Sequence, residues 1–234
     1  MSTFTNKDLK KTIQASLGVD SSSQKTEITE AFVANQKPQR LSTDLLSEKN
    51  KVSHLDLYKG YIESFNRVSA ELDAADRSFA NSNSSSFRSL KLDETFNLNG
   101  VYLHELYFAN ISDVHSEIAM DSLSYIKLSR DFGTFDAWQR DFIACCQSSR
   151  CGWAITGYHV YLQSYVNIFV DLHSSSVPVG IYPVIVMDVW QHAYYRDYLK
   201  DLKTYTHAMM KELNWEVIES RFKKAERISA AIRD

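Results

Sequence analysis

A chain of 234 residues with 44% apolar and 24% charged side chains can bury a core as one large domain or two small ones, which excludes global disorder. A formal charge of −3 gives no basic surplus for gripping phosphate backbones, so nucleic acid is not expected as a partner. No apolar run reaches bilayer length, no secretory h-region opens the chain, and three cysteines with an adjacent pair suit a reducing interior, so a soluble, cytoplasmic protein is expected.

Residues 1–45 are rich in Ser, Thr, Lys, Asp and Gln and offer only short amphipathic pieces at 8–17 and 27–33, which marks a polar N-terminal extension, loosely ordered or packing late. Asp8, Asp20, Glu27 and Glu30 all precede the first arginine, Arg40, a pattern that disfavours a mitochondrial presequence. From residue 43 onward, His54, Leu57, Tyr58, Tyr61, Ile62, Phe65, Val68 and Leu72 recur at steps of three and four, the stripe of a long amphipathic helix. The polar stretch 81–86 reads as a loop, after which Phe96, Val101, His104, Leu106, Tyr107 and Phe108 restore helical spacing over 93–111. Two helices joined by a loop predict an antiparallel hairpin. A third helix is expected at 135–146. Three strands are expected at 152–161, 165–172 and 184–188, and a last helical region at 198–233 breaks near Asn214 and Trp215. The fold class is therefore α+β: a long helical hairpin domain over 46–128, then a C-terminal domain over 129–234 with a small three-stranded antiparallel sheet surrounded by helices.

The chemistry lies with histidines and one acid. Of seven histidines, His54 and His104 fall on the apolar sides of the first two helices and His192 just behind the third strand, where Asp188 also sits in the most apolar part of the chain. An unpartnered imidazole or carboxylate in a core is costly, so each must be hydrogen-bonded or bound to a metal. Taken singly, each histidine fits a satisfied core residue. As a set, three neutral nitrogens and one anionic oxygen suit a first-row ion such as iron or manganese and leave room for solvent.

Residues 188–195, Asp-Val-Trp-Gln-His-Ala-Tyr-Tyr, resemble the DVWEHAYY signature of the iron/manganese superoxide dismutase family. The likeness extends to Gly180, Ile181, Tyr182 and Pro183 ahead of it, and to Leu213, Asn214, Trp215, Glu219, Ser220 and Arg221 behind it. It extends further to Cys151, Gly152 and Trp153 at the first strand and to the second helix from Phe96 to Ile111. It covers about 43–225 in the family's order. The resemblance implies a superoxide dismutase with one Fe or Mn ion per subunit, held by His54, His104, Asp188 and His192. A gapless match places the family's first ligand at Ser53. That family helix commonly carries a π-type bulge, with histidine and gateway tyrosine eight apart, whereas His54 and Tyr61 are seven apart, two turns of a regular α-helix. Loss of the bulge residue preserves a shared face, so His54 is assigned as the ligand.

The resemblance further assigns Tyr61 as gateway tyrosine and His173 as the partner of the solvent at the ion, in a position where many members have glutamine. Trp153 and Trp190 match the aromatic wall. Gln191 replaces a glutamate that reaches a ligand histidine of the dimer partner; an amide oxygen still accepts that bond but lacks the charge. Tyr195 matches a tyrosine that meets a helix-one histidine of the partner, and Leu57 or Tyr58 stands where that histidine is usual. The implied substrate is superoxide, the implied assembly a homodimer or higher homo-oligomer, and the implied role antioxidant. Two alternatives stand beside it: a member that keeps fold and metal but has lost dismutation and serves a structural or interaction role, and a different oxidase or oxygenase on the same ligands.

Overall fold

A computed structural model describes residues 32–111 and 116–233, and among them lie seven helices and three strands. The helices are α1 (Glu48–Ala74), α2 (Ser86–Asn110), α3 (Leu123–Phe132), α4 (Phe135–Ser148), α5 (Gln191–Tyr198), α6 (Leu202–Lys211) and α7 (Trp215–Arg233). The strands are β1 (Trp153–His159), β2 (Ser164–Val170) and β3 (Ile181–Asp188). The α+β class expected from the sequence is the one observed. Most of the extension 1–45, including its amphipathic piece at 8–17, lies outside the described residues.

The chain divides into two compact units. The first holds 56–102 with the described residues 32–38; the second holds 39–55 and 103 onward. In the first unit the α1 stripe buries Tyr58, Ile62, Phe65, Val68 and Leu72, spaced by four, three, three and four, as the helical period requires. The extended residues before Pro38 are clipped to it. Asn66 accepts from the Ala34 amide at 2.7 Å and donates to its carbonyl at 3.0 Å, and Phe32 packs on Phe65 at 5.9 Å. Asn81 Oδ1 accepts from the amides of Asn83 and Ser84, forming a turn in the polar loop, and Ser85 Oγ accepts from Arg88 N in the first turn of α2. Tyr61 packs on α2, where the Phe96 ring, tilted by 54°, is 5.7 Å away. A Cβ on Gly100 would come within 2.5 Å of the Tyr61 ring, which is why α2 carries glycine there.

The second unit is organised by a sheet of order β2-β1-β3, antiparallel throughout. Because β3 is an edge strand, it tolerates Pro183 and begins at Ile181, three residues earlier than its apolar run suggests. Trp138, Phe142, Tyr165 and Phe222 are fully buried in this unit's core. Two helices were not expected from the sequence. The first, α3, starts at Ser122, whose side chain accepts from the Tyr125 amide, and stops at Gly133 with φ 85°. Glu219, reaching back from α7, also accepts from the amides of Leu123 and Ser124 at 3.1 and 2.9 Å. The second, α5, starts directly behind the DVW sequence, so the last helical region begins at Gln191 and is three helices rather than one broken one. No helix among the described residues is long and apolar enough to cross a membrane.

Candidate metal centre

Asp188 ends β3, and the backbone then turns so that the Trp190 amide donates to Asp188 Oδ1 at 2.8 Å. That bond fixes the carboxylate and aims Oδ2 the other way. His192 enters one helical turn later on α5, with Nε2 3.2 Å from Asp188 Oδ2. His54, from the part of α1 in this unit, brings its Nε2 to 3.0 Å from the same oxygen, and His104 of α2 stands at 3.7 Å. These four side chains form one cluster, whose ligand atoms all lie within 4.8 Å of one another. His54, His104 and Asp188 are buried, while His192 is part-exposed.

This arrangement fits a metal ion on its own geometry. Ligand atoms about 2.1 Å from a shared ion stand about 3.0 Å apart at right angles and about 3.6 Å apart at 120°. The separations from Asp188 Oδ2, 3.0, 3.2 and 3.7 Å, lie at or close to this range. Charge agrees with distance. Burial holds the His54 imidazole below its ordinary pKa, against the pull of Asp188, so its ring is neutral. Burial pushes the Asp188 carboxyl up, but the imidazoles of His192 and His54 outweigh it and keep the group ionised, well below the usual carboxylate range. Neutral nitrogens and an anionic oxygen are the forms that ligate, and a buried carboxylate gains from a cation at its open oxygen.

The first ligand stretch is held in place by neighbours that sequence reasoning missed. Asn50, one turn before His54, donates to the Ala193 carbonyl and to Asp197 Oδ2, each at 3.0 Å, and Asp197 Oδ2 also accepts from the Ser47 amide at 2.9 Å. These bonds tie the start of α1 to the helix of His192. A buried asparagine four residues before a buried histidine was the available signal; its partner, 147 residues away, was not. Ser53, the gapless match for the first ligand, faces solvent and donates to the Lys49 carbonyl. Helix α1 is continuous through His54 and Tyr61, as the seven-residue spacing requires. Tyr61 belongs to the first unit, where its contacts are those given above.

Trp153 stands directly across the strand pair from Asp188 and meets the His104 ring edge-on at 5.0 Å. Trp190 stacks on His192 at 6.0 Å. His173 is fully buried, with Trp190 at 5.8 Å and the Trp153 indole N–H donating to its Nδ1 at 3.1 Å. A neutral ring that accepts at Nδ1 carries its proton on Nε2, so His173 is set as a donor there. Gly152 makes this corner feasible, because a Cβ would lie 1.8 Å from the Val170 carbonyl oxygen. Gln191 and Tyr195 are exposed, one turn apart on α5. The three cysteines are free; burial pushes the Cys145 thiol up to about 11 and the Cys146 thiol well above its ordinary value.

Residues 123–221 match the family of the iron/manganese superoxide dismutases, C-terminal domain. The chain is 37% identical over 202 residues to the iron superoxide dismutase of Aquifex pyrophilus, a match that covers 85% of this chain and 93% of that one. It is 30% identical over 192 residues to the iron superoxide dismutase of Cupriavidus metallidurans, covering 81% and 91%. It is also 29% identical over 181 residues to a manganese superoxide dismutase of Haloferax volcanii, covering 77% and 88%.

Proposed function

This chain belongs to the iron/manganese superoxide dismutase family, and on that premise we propose that it dismutates superoxide with one iron or manganese ion held by His54, His104, Asp188 and His192. The observation that carries the reading is the convergence of three imidazole nitrogens on one buried carboxylate oxygen at ligand-to-ligand distances. The two long helices contribute His54 and His104, and β3 and the start of α5 contribute Asp188 and His192. When bound, the ion supplies one-electron chemistry, by which one superoxide becomes dioxygen and a second, with two protons, becomes peroxide.

The protein's own groups account for the rest. Asp188 remains anionic and so offsets part of the ion's charge in both oxidation states. His173 presents an Nε2 proton to the small anion, and Trp153 holds the ring in that tautomer. Trp153 and Trp190 exclude bulk water, and the low dielectric strengthens the hold of the ligands. The role of Tyr61 as gateway rests on its match to the family's tyrosine. A homodimer is supported by the exposed pair Gln191 and Tyr195 beside the part-exposed His192. An antioxidant role follows from the removal of superoxide, and the three free cysteines accord with a reducing interior.

Elemental analysis combined with a superoxide turnover assay tests the reading. The expected result is about one iron or manganese per chain, with turnover lost when the ion is removed and regained on reloading. Metal-loaded protein that turns superoxide over at the background rate would leave the metal-holding interaction protein in its place.

A further inference from the structure

The sequence singles out Arg221 as a match to a family arginine, yet the proposed chemistry leaves it without a task. Its surroundings supply one. Strand β3 pairs with β1 on one side only, so the main-chain groups on its other edge need partners once buried. Three alternate carbonyls on this strand accept from side chains. Arg221 Nη1 donates to Val184 at 3.2 Å, Asn110 Nδ2 to Val186 at 2.6 Å, and the Tyr205 hydroxyl to Asp188 at 2.8 Å. The three donors stand where a neighbouring strand would stand.

The same donors also bind the helix that carries His104. Asn110 is part of α2; Arg221 donates through Nη1 to Asn110 Oδ1 and through Nη2 to the Leu106 carbonyl at 2.9 Å. Tyr107, also on α2, meets the Tyr205 hydroxyl at 2.9 Å; because Tyr205 donates to the Asp188 carbonyl, Tyr107 is the donor between the two hydroxyls. Asn110, Tyr107, Tyr205 and Arg221 are all buried. We infer that Asn110, Tyr205 and Arg221 are positioning residues that set the register of Asp188 against His104, acting through β3 carbonyls. Register matters here because a slip of one residue turns Asp188 to the opposite face of the strand. A guanidinium can serve two elements at fixed angles, which an ammonium cannot reproduce.

The inference rests on the metal reading above, and its test separates the two. Iron-loaded wild type, Tyr205→Phe and Arg221→Lys are compared for chelator-driven iron release and for the visible absorption of the oxidised centre. Each variant is expected to release iron about 10- to 100-fold faster than wild type, with a shifted absorption band. Tyr158→Phe serves as the control. It removes an equally buried hydroxyl, bonded to Ser229 at 2.6 Å, and is expected to release iron at the wild-type rate with an unshifted band. Wild-type release rates in both Tyr205→Phe and Arg221→Lys overturn the inference, as does equal acceleration in Tyr158→Phe, which would signify general loosening. Should Arg221→Lys fail to fold, Tyr205→Phe decides alone. Wild-type protein that takes up no iron or manganese overturns the function itself and the inference with it; metal retained equally in all forms overturns only the inference.

Discussion

Replacing Asn50 by alanine probes how the first ligand is held without touching a ligand. The fully buried Asn50 amide donates to the Ala193 carbonyl and to Asp197 Oδ2 at 3.0 Å each. A neutral bond of this kind contributes about 1 kcal/mol, and a bond to a carboxylate about 1.5 to 3 kcal/mol. Asp197 is exposed, so solvent screening reduces the second contribution to about 1 kcal/mol. Asn50 Oδ1 has no hydrogen-bond partner among the described residues, and its removal returns part of the loss. The net expectation is about 1 to 2 kcal/mol, or about 2 to 8 °C in melting temperature for a chain of this size. Burial pushes the Asp197 carboxyl up, but its bonds from Ser47 and Asn50 and the Arg196 charge hold it below its ordinary value. A depressed carboxylate contributes stability above its unfolded pKa, about 3.9, and loses it as pH falls through the folded value. The gap between wild type and variant should therefore be full at pH 7 and narrow below about pH 4. Calorimetry of metal-free protein, in which ion release plays no part, reads this directly. Equal melting at pH 7, or a gap that persists undiminished at pH 3, would refute the reasoning.

His104→Ala should abolish metal uptake, whereas His173→Ala should keep the ion and lower turnover by about 10² or more, as loss of a positioned proton donor does; equal metal loss in both would contradict this division. Trp153→Phe preserves most of the packing but removes the N–H that sets the His173 tautomer, so turnover should fall at unchanged metal content, and a variant as active as wild type would sever that link. Gly152→Ala places a methyl 1.8 Å from a backbone oxygen and should cost several kcal/mol, on the order of the largest single-residue effects, so a wild-type melting temperature would show that the corner is not as tight as described.

The features legible in the sequence are those carried by local period and local spacing. Helix α1 announced itself because Tyr58, Ile62, Phe65, Val68 and Leu72 repeat at the helical step, and the strands because their apolar runs are short and β-branched or aromatic. The regular seven-residue interval from His54 to Tyr61 favoured His54 over Ser53, and the structure buries the former and exposes the latter. Helix α3 escaped notice because it is held partly by Glu219, nearly a hundred residues away, and α5 because its eight residues, with Ala193 and Tyr194 buried, show too little period to detect.

What the tertiary structure alone decided is how distant segments meet. The sequence nominates three histidines and an aspartate by their apolar surroundings. Only folding brings His54 within 3.0 Å of an oxygen 134 residues away and sets Arg221, Asn110 and Tyr205 along the open edge of β3. The physical reason is that burial of an apolar face leaves a periodic trace along the chain, whereas a hydrogen bond between remote side chains depends on a direction and a distance that neither segment encodes by itself.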